Sequence, residues 1–266
     1  MKISVITVCF NSEKVIEEAI LSVLKQKQDN LEYIVVDGKS SDGTMKILEK
    51  YKDKISILVS EKDKGIFDAM NKGVKLATGD LIYFLNSDDR FYDEDVICDI
   101  VKVAQENKDI DYLYGGVVCK NIFGGKSMNT FLKEISEFSF KCGQHIKHQS
   151  IFVKRDLFDK FGLFDISYEV SAAYEWESRL IKNHCKGLFV NRLIAYYDQT
   201  GFSSRGVWAQ YIEKTKIINK HFGIFFSSIF FIQSLFKFTL TKILKTLKIA
   251  PLISKILNAI RGSSLK

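Results

Sequence analysis

The polar residues with the clearest chemical potential follow a short apolar run. Residues 81–85 are typical of a strand that is buried on both faces. Four polar residues follow this run directly: Asn86, Ser87, Asp88 and Asp89. In open α/β sheets the ligand crevice lies beyond the carboxyl ends of the strands, so these carboxylates are placed to hold a divalent cation and, through it, a phosphate. The alternative is a solvated turn, because Asn, Ser and Asp are also common turn residues.

Two other predicted strands also end in polar residues. The range 7–11 closes the first strand, and the range 37–42, which begins with Asp37, closes the second. A carboxylate that closes an early strand is placed to accept hydrogen bonds from a base or from ribose hydroxyls. The sequence contains neither G-x-G-x-x-G nor G-x-x-x-x-G-K-[ST], so no Gly-rich loop is predicted to hold the phosphates. We therefore expect a nucleoside diphosphate that is bridged to the chain by a cation.

Strands and helices alternate along the first half of the chain. Strands are predicted over 3–10, 31–36, 55–60 and 81–85, and helices over 13–25, 44–51 and 65–77. This alternation predicts an α/β fold with a doubly wound sheet and right-handed crossovers. Further strands over 111–119, 148–153 and 188–197 complete a mixed, mainly parallel sheet.

The basic charge is concentrated in the C-terminal tail. Ten of the 39 Lys and Arg residues lie at or after Lys214, where no Asp or Glu occurs, so the preceding residues carry 29 basic and 32 acidic side chains. A mildly acidic body with a basic, apolar tail favours an anionic membrane surface over nucleic acid as the partner. We expect a catalytic domain over residues 1–213 and a basic amphipathic helical tail over 214–266, in which Pro251 separates two segments. The alternatives are that the tail helices pack on the body or on another subunit of an oligomer.

Composition favours a globular protein in a reducing compartment. The five cysteines are widely spaced and form no C-x-x-C pair, which indicates free thiols rather than disulfides or a zinc site. No secretion signal is visible at the N-terminus. We therefore expect a cytoplasmic protein, peripheral on the inner face of the cell membrane.

Five sequence stretches occur together and in order. They are ISVITVCFN, EYIVVDGKSSDGT, SEKDKGIFDAMNKGVKLATGD, IYFLNSDD and HQSIFVKRDLF. Together they closely resemble the family 2 glycosyltransferases of the GT-A fold, which build bacterial surface polysaccharides such as O-antigen or capsule. The resemblance covers residues 2–204. It implies an inverting transfer of a hexosyl or N-acetylhexosaminyl group from a nucleotide-sugar, expected to be a UDP-sugar, to a lipid-linked oligosaccharide.

The resemblance also implies roles for individual residues on the donor side. Asp37 matches the acid that contacts the nucleoside. Thr7, Phe10 and Asn11 match the strand end beside the base and the ribose. The motif whose polar groups reach the nucleoside, the diphosphate or the donor sugar matches at four positions: Asp63, Lys64, Asp68 and Asn71.

On the metal and acceptor side the match is less complete. Asn86-Ser87-Asp88 takes the place of the family's D-x-D motif, with Asp88 as the ligand of Mn²⁺ or Mg²⁺ and Asn86 in place of the first acid. His148 and Gln149 match an H-Q pair near the sugar and the acceptor.

The position of the family's general base carries no carboxylate. In the family an Asp directly precedes a Tyr-Glu or Trp-Glu pair; here the pair is Tyr174-Glu175 and the preceding residue is Ala173. A chain with Ala173 is expected to bind its donor but turn over poorly, because base catalysis contributes ~10²- to 10⁴-fold. We favour an engineered Asp→Ala change that traps a substrate complex, since the rest of the site is intact; natural loss of activity is the alternative. Glu177, one helical turn after Ala173, is a weaker candidate for a substitute base.

Functions of other classes remain open at this point. Ala173 supports a non-catalytic nucleotide-sugar-binding subunit of a polysaccharide assembly complex. A nucleotidyltransferase is disfavoured, because residues 11–13 do not form the Gly-rich, basic triphosphate loop that it would need after the first strand.

Overall fold

One mixed sheet organises the chain. Within residues 1–120, 128–197 and 207–246, which a computed structural model describes, nine strands form a single sheet. The strands are β1 (Ile3–Cys9), β2 (Leu31–Asp37), β3 (Ile57–Ser60), β4 (Leu81–Phe84), β5 (Arg90–Phe91), β6 (Tyr112–Lys120), β7 (Met128–Phe131), β8 (Ile151–Lys154) and β9 (Gly187–Tyr197). The helices are α1 (Ile16–Leu24), α2 (Thr44–Lys50), α3 (Ile66–Leu76), α4 (Val96–Glu106), α5 (Glu137–Lys141), α6 (Asp156–Phe161), α7 (Ala172–Lys182), α8 (Val207–Phe222) and α9 (Ile224–Thr246).

The first four long strands form the parallel half of the sheet, in the order β3-β2-β1-β4. Ile3 aligns with Leu31 on one side and with Leu81 on the other. Alternate residues of β1 enter different cores: Ile3 packs with α1 and α4, whereas Ile6 packs with α3, α6 and α7. Both faces of β1, β2 and β4 are therefore covered, which is why these strands are largely apolar, whereas β3 at the edge is only half-buried. The predicted α/β fold with a mixed sheet is confirmed.

The second half of the sheet contains the antiparallel pairs. The order continues β8-β6-β9-β5, with β7 on β6, and β8 runs antiparallel to both β4 and β6. The predicted strand over 148–153 is also too long, because residues 148–150 form a 3₁₀ turn and β8 begins at Ile151. Ser150 closes this turn by donating its backbone N–H and its hydroxyl to the carbonyl oxygen of Lys147. The boundary agrees with the residue types, because residues 148–150 are polar and residues 151–153 are apolar.

The C-terminal helices pack on the body at their start. The Glu213 carboxylate accepts hydrogen bonds from the three consecutive backbone N–H groups of residues 169–171, which lead into α7. The boundary predicted between residues 213 and 214 thus falls inside α8. Of the two tail helices, α8 packs on α7, and α9 follows α8 after Gly223, whose φ is 89°. Pro251 and the rest of the predicted tail, residues 247–266, lie outside the described residues.

Candidate active site

Asp37 organises the turn that follows β2. It is fully buried, and four groups donate to its two carboxylate oxygens. The Ser60 hydroxyl donates at 2.6 Å, the backbone N–H of Ser40 at 3.0 Å and the Ser40 hydroxyl at 2.5 Å, and the Cys9 thiol lies 3.7 Å from Oδ1. A carboxylate has about four acceptor sites, so these groups satisfy Asp37 within the protein. Asp37 therefore fixes the turn that follows β2.

The residues around this turn form an accessible surface. Asn11 has a φ of 50°, and its Oδ1 accepts from the backbone N–H of Ser41 at 2.9 Å. The Phe10 ring is 61% exposed and lies beside Gly38. A Cβ at Gly38 would collide with the Asp63 carboxylate, so the bare glycine backbone lets Phe10, Asn11 and Asp63 come together. An exposed ring beside open backbone is suited to stacking against a base.

The loop before α3 carries the next predicted residues. The Asp63 Oδ1 accepts from the backbone N–H of Gly65 at 2.9 Å, and the Asp68 Oδ2 accepts from the backbone N–H of Lys64 at 3.0 Å. The Lys64 side chain is exposed. The two acids thus stabilise the loop by accepting hydrogen bonds from its own backbone, and the Lys64 ammonium group is accessible to an anion.

Two of the predicted ligand contacts are buried and hydrogen-bonded within the protein. Thr7 is fully buried, and its hydroxyl oxygen accepts from the Tyr33 hydroxyl at 3.3 Å. Asn71 is also buried; its Nδ2 donates to the carbonyl oxygen of Phe164 and its Oδ1 accepts from the backbone N–H of Phe164, both at 2.9 Å. Neither side chain is brought to the surface with Phe10 and Asn11.

The end of β4 joins the donor side to the acceptor side. Ser87 Oγ lies 2.9 Å from Ser12 Oγ, which links this loop to the end of β1. Asn86 Nδ2 donates to His148 Nε2 at 3.0 Å, while the buried Asn86 Oδ1 has no partner among the described residues. Asp88 is exposed. In the part of the chain that the structure describes, no group of three or more His, Cys, Asp or Glu side chains could hold a metal by itself.

His148 and Gln149 lie on the 3₁₀ turn beside β4. The Tyr83 hydroxyl donates to the backbone oxygen of Gln149 at 2.7 Å, which fixes this turn against the strand. The Gln149 side chain is buried. Burial, and to a lesser degree the charge of Lys147, lowers the pKa of His148 to about 4, so its imidazole is neutral at pH 7. A neutral imidazole accepts the Asn86 hydrogen bond at Nε2 and carries its proton on Nδ1.

A cavity of about 20 Å³ lies between His148 and the first turn of α7. Ala173, the predicted base position, lines it together with His148 and Glu177. Glu177 was only a weak candidate by sequence, yet it shares this cavity. Behind it, Lys214 of α8 donates to His145 Nδ1 at 3.0 Å. No local sequence pattern signals Lys214, because its position depends on how α8 packs.

These contacts join three groups of residues along one edge of the sheet. Asp37 and its turn lie at the end of β2, and Ser12–Ser87 connects the end of β1 to that of β4. Asn86–His148 then connects β4 to the cavity at Ala173. One end of this edge therefore carries the Phe10 ring and the Asp63 carboxylate, and its middle carries the exposed Asp88. The other end carries the His148 imidazole beside the cavity.

The sequence of this chain matches a known family of enzymes. Residues 4–162 match the model of glycosyl transferase family 2. The chain belongs to this family. It is 30% identical over 207 residues to an Escherichia coli UDP-Glc:alpha-D-GlcNAc-diphosphoundecaprenol beta-1,3-glucosyltransferase, WfgD, covering 76% of this chain and 79% of the relative. It is 29% identical over 205 residues to a PGL/p-HBAD biosynthesis glycosyltransferase of Mycobacterium bovis, covering 74% and 77%.

Solved structures share the fold of this family 2 member. S. aureus TarS 1-349 in complex with UDP-GlcNAc aligns with a TM-score of 0.70 at 21% identity, over 90% of this chain and 73% of TarS 1-349. The mannosyltransferase PcManGT from Pyrobaculum calidifontis, in complex with GDP-Man and Mn2+, aligns with a TM-score of 0.61 at 18% identity, over 83% and 63%. At these identities the likeness establishes the fold.

Proposed function

We propose that this chain is an inverting, metal-dependent transferase that moves a hexosyl or N-acetylhexosaminyl group from a UDP-sugar to a lipid-linked oligosaccharide. The observation that carries the proposal is the continuous edge from Phe10 and Asn11, past Asp88, to His148 and Ala173. We assign the nucleoside to the end at Phe10 and Asn11, the diphosphate to the middle at Asp88, and the sugar to the end at His148. The named substrates of the E. coli relative, a UDP-sugar and a diphosphoundecaprenol-linked sugar, support the choice of donor and acceptor.

A divalent cation fits the oxygen atoms at the end of β4. Asp88 offers an exposed carboxylate, and the buried Asn86 Oδ1 lacks a partner among the residues described. Mg²⁺ in such sites is held by one or two carboxylates together with substrate phosphates, and Mn²⁺ also suits oxygen ligands. When bound, the cation stabilises the charge that develops on the leaving diphosphate. We therefore assign Asp88 as its protein ligand, with Lys64 as a second positive group for the phosphates.

Ala173 defines the second candidate function. Without a carboxylate at this position, the chain is expected to bind UDP with Mn²⁺ while transferring sugar slowly, as an impaired enzyme or as a nucleotide-sugar-binding subunit. Restoring the acid by Ala173→Asp should raise turnover by ~10²- to 10⁴-fold, the usual contribution of a general base. The cavity beside Ala173 gives the added carboxylate room next to His148.

The test compares this chain with Ala173→Asp in transfer from UDP-sugars to diphosphoundecaprenol-linked acceptors, with Mn²⁺ present. UDP binding by calorimetry, with and without Mn²⁺, is measured in parallel. Glu169→Gln, an exposed acid just before α7, is the matched control and should not alter transfer. No gain with Ala173→Asp, together with intact UDP binding, would favour the binding subunit.

We further propose that α9 binds the anionic inner face of the cell membrane. Its body-facing side includes Ser227 and Ser234, whereas its outer side is apolar: Phe225 is 65% exposed and Phe236 is 69% exposed. Lysines follow from Lys237 onward. Apolar side chains flanked by lysines favour the interface of an anionic bilayer. Among the described residues, no helix has the length and hydropathy needed to cross a membrane.

Vesicle sedimentation tests this orientation. Replacing Phe225 and Phe236 by serine should abolish binding to phosphatidylglycerol vesicles, because both side chains would insert. Ile166→Ser, at an exposed residue of the body, is the control. Unchanged binding by the double variant would refute the proposed contact.

A further inference from the structure

A groove between α8 and α9 has no part in the proposed active site. It has a volume of about 180 Å³ and exposes only apolar surface. Three of the side chains that line it, Trp208, Ile212 and Phe231, are between 41% and 51% exposed. Because an apolar cavity of about 150 Å³ is large enough to bind benzene, this groove has room for a segment of a hydrocarbon chain.

The walls of the groove are held by contacts within the helix pair. The Trp208 ring packs against Phe238 of α9, with ring centroids 4.5 Å apart. Thr215, which also lines the groove, donates its hydroxyl to the carbonyl oxygen of Tyr211 at 2.7 Å. Its polar atom is therefore satisfied within α8, and the groove favours hydrocarbon over a polar ligand.

A different side of α8 fixes the helix to the body. Ile217 and Ile218 are fully buried, and Lys214 donates to His145 Nδ1 at 3.0 Å. His145 lies three residues before His148, at the acceptor end of the proposed site. The helix that forms one wall of the groove therefore also contacts the segment that carries His148.

The groove adjoins the apolar outer side of α9, which we propose to contact the bilayer. Phe231 lines the groove, and the residues that follow it include the exposed Ile232, Leu235 and Phe236. Apolar side chains thus lead from the proposed bilayer contact to the groove. Burial of a hydrocarbon chain along such a surface is favourable.

The charge of this region favours an anionic lipid over a second copy of the chain. The exposed Lys216 lines the groove, and the sequence from Lys214 onward has ten basic residues and no acidic residue. Two copies that met through this region would repel each other, whereas a diphosphate would be attracted. A lysine can line apolar surface with its stem while its ammonium group stays in water.

We propose that the groove between α8 and α9 binds the isoprenoid chain of the lipid-linked acceptor, with Lys216 beside its diphosphate. This inference rests on the proposed transferase function, whose acceptor carries such a chain. A bilayer lipid has no sugar to present, whereas the acceptor must bring its sugar to the end of the site at His148. Because α8 contacts both regions, binding of the chain restricts the positions that the attached sugar can take.

Farnesyl diphosphate, a short isoprenoid diphosphate, is the probe, and the fluorescence of Trp208 reports its binding. The sequence has two tryptophans, and the other, Trp176, is buried in the core. Farnesyl diphosphate should shift the emission to shorter wavelength, because the Trp208 ring leaves water, and Trp208→Phe should abolish the shift. Inorganic diphosphate should cause none. An equal shift with inorganic diphosphate would overturn the proposal.

Thr215→Phe fills the groove and should weaken the binding of farnesyl diphosphate at least about tenfold, a loss that two fewer buried methylene groups would cause. The matched control is Ala209→Phe, which adds the same ring at an exposed residue of α8 outside the groove. Ile212→Ser, at a half-exposed position, should also weaken binding while urea unfolding stays unchanged. Unchanged affinity in both groove variants would refute the proposal.

The same signal distinguishes other occupants. If phosphatidylglycerol vesicles shift the emission of this chain but not of Thr215→Phe, and farnesyl diphosphate has no effect, the groove holds a bilayer acyl chain and the proposal is wrong. A shift that appears without lipid as the protein concentration rises, or on deletion of residues 247–266, would assign the groove to a second copy or to that segment.

Sugar transfer separates this inference from the proposed function. In Ala173→Asp, kcat/KM should be at least about tenfold higher for an acceptor linked to farnesyl diphosphate than for the same acceptor with a methyl group in place of farnesyl. Adding Thr215→Phe should remove this preference and leave UDP binding unchanged. Transfer without any preference for the longer chain would refute the role of the groove, and the transferase function would stand. Binding of farnesyl diphosphate in the groove without transfer to any acceptor would refute the transferase function instead.

Discussion

Glu175 is predicted to be the main electrostatic link between α7 and α8, and Glu175→Gln tests this directly. The Glu175 carboxylate is fully buried, and its Oε1 accepts from Lys220 Nζ and lies the same 3.0 Å from His221 Nε2, both on α8. Its Oε2 pairs with Arg179 on its own helix. Gln keeps the shape of the side chain but removes the charge, so three basic groups lose their shared anion. Because α7 carries Ala173 and Glu177, this link also holds the first turn of α7 in place.

The size of the effect follows from the pKa of Glu175. Burial alone would raise this pKa, but hydrogen bonds from His221, Arg179 and Lys220 outweigh burial and lower it from 4.5 to about 2. At about 1.4 kcal/mol per pKa unit, the charged form gains ~3 kcal/mol in the folded state. A carboxyl whose folded pKa is lowered stabilises the protein above its unfolded pKa and loses this contribution as the pH falls. The difference between the two proteins should therefore be constant above pH 5 and fall to about half near pH 3.

Urea unfolding, followed by circular dichroism and by the fluorescence of Trp176 and Trp208, measures this loss. The matched control is Glu137→Gln, which removes an ion pair with Lys141 at the same i,i+4 spacing but with an exposed carboxylate. That pair should contribute only ~0.3–0.5 kcal/mol. A loss below about 1 kcal/mol for Glu175→Gln at pH 7, or a loss equal at pH 7 and pH 3, would refute the reasoning.

Two further predictions concern the donor side. Asn71→Ala should destabilise the fold by about 2–3 kcal/mol, because it leaves the backbone N–H and carbonyl of Phe164 unsatisfied; a large loss of UDP affinity with unchanged urea unfolding would instead support a direct donor contact. Gly38→Ala should weaken UDP binding about tenfold, or ~1.4 kcal/mol, because the added Cβ displaces the Asp63 carboxylate and the Phe10 ring. The free energy of unfolding should change little, since the Asp63 side chain can move. Calorimetry and urea unfolding of the same protein samples distinguish the two effects, and unchanged UDP affinity in Gly38→Ala would remove Gly38 from the donor site.

Predictions from the sequence agree with the structure where the interacting residues are close together in the chain. The apolar run of β4 and the polar residues after it are adjacent in the chain, so their pattern predicts both the strand and the position of Asp88. Thr7 and Asn71 were predicted as ligand contacts, whereas the structure buries both. Their hydrogen-bond partners are Tyr33 and Phe164, which lie 26 and 93 residues away. A motif cannot show whether such a partner already occupies a polar side chain.

The sequence by itself determined the α/β class, the buried parallel strands and the family, because each depends on alternating patterns or on ordered local motifs. It also predicts that Ala173 occupies the position of the family's general base. Only the tertiary structure decided that β8 runs antiparallel and that α8 belongs to the folded body. The same packing places Glu177 and His148 on the cavity beside Ala173 and brings Lys214 close enough to act on the Glu177 carboxyl group. These features depend on contacts between segments that are distant in the sequence. Such contacts decide which side chains are buried, and burial in turn shifts the pKa of a titratable group.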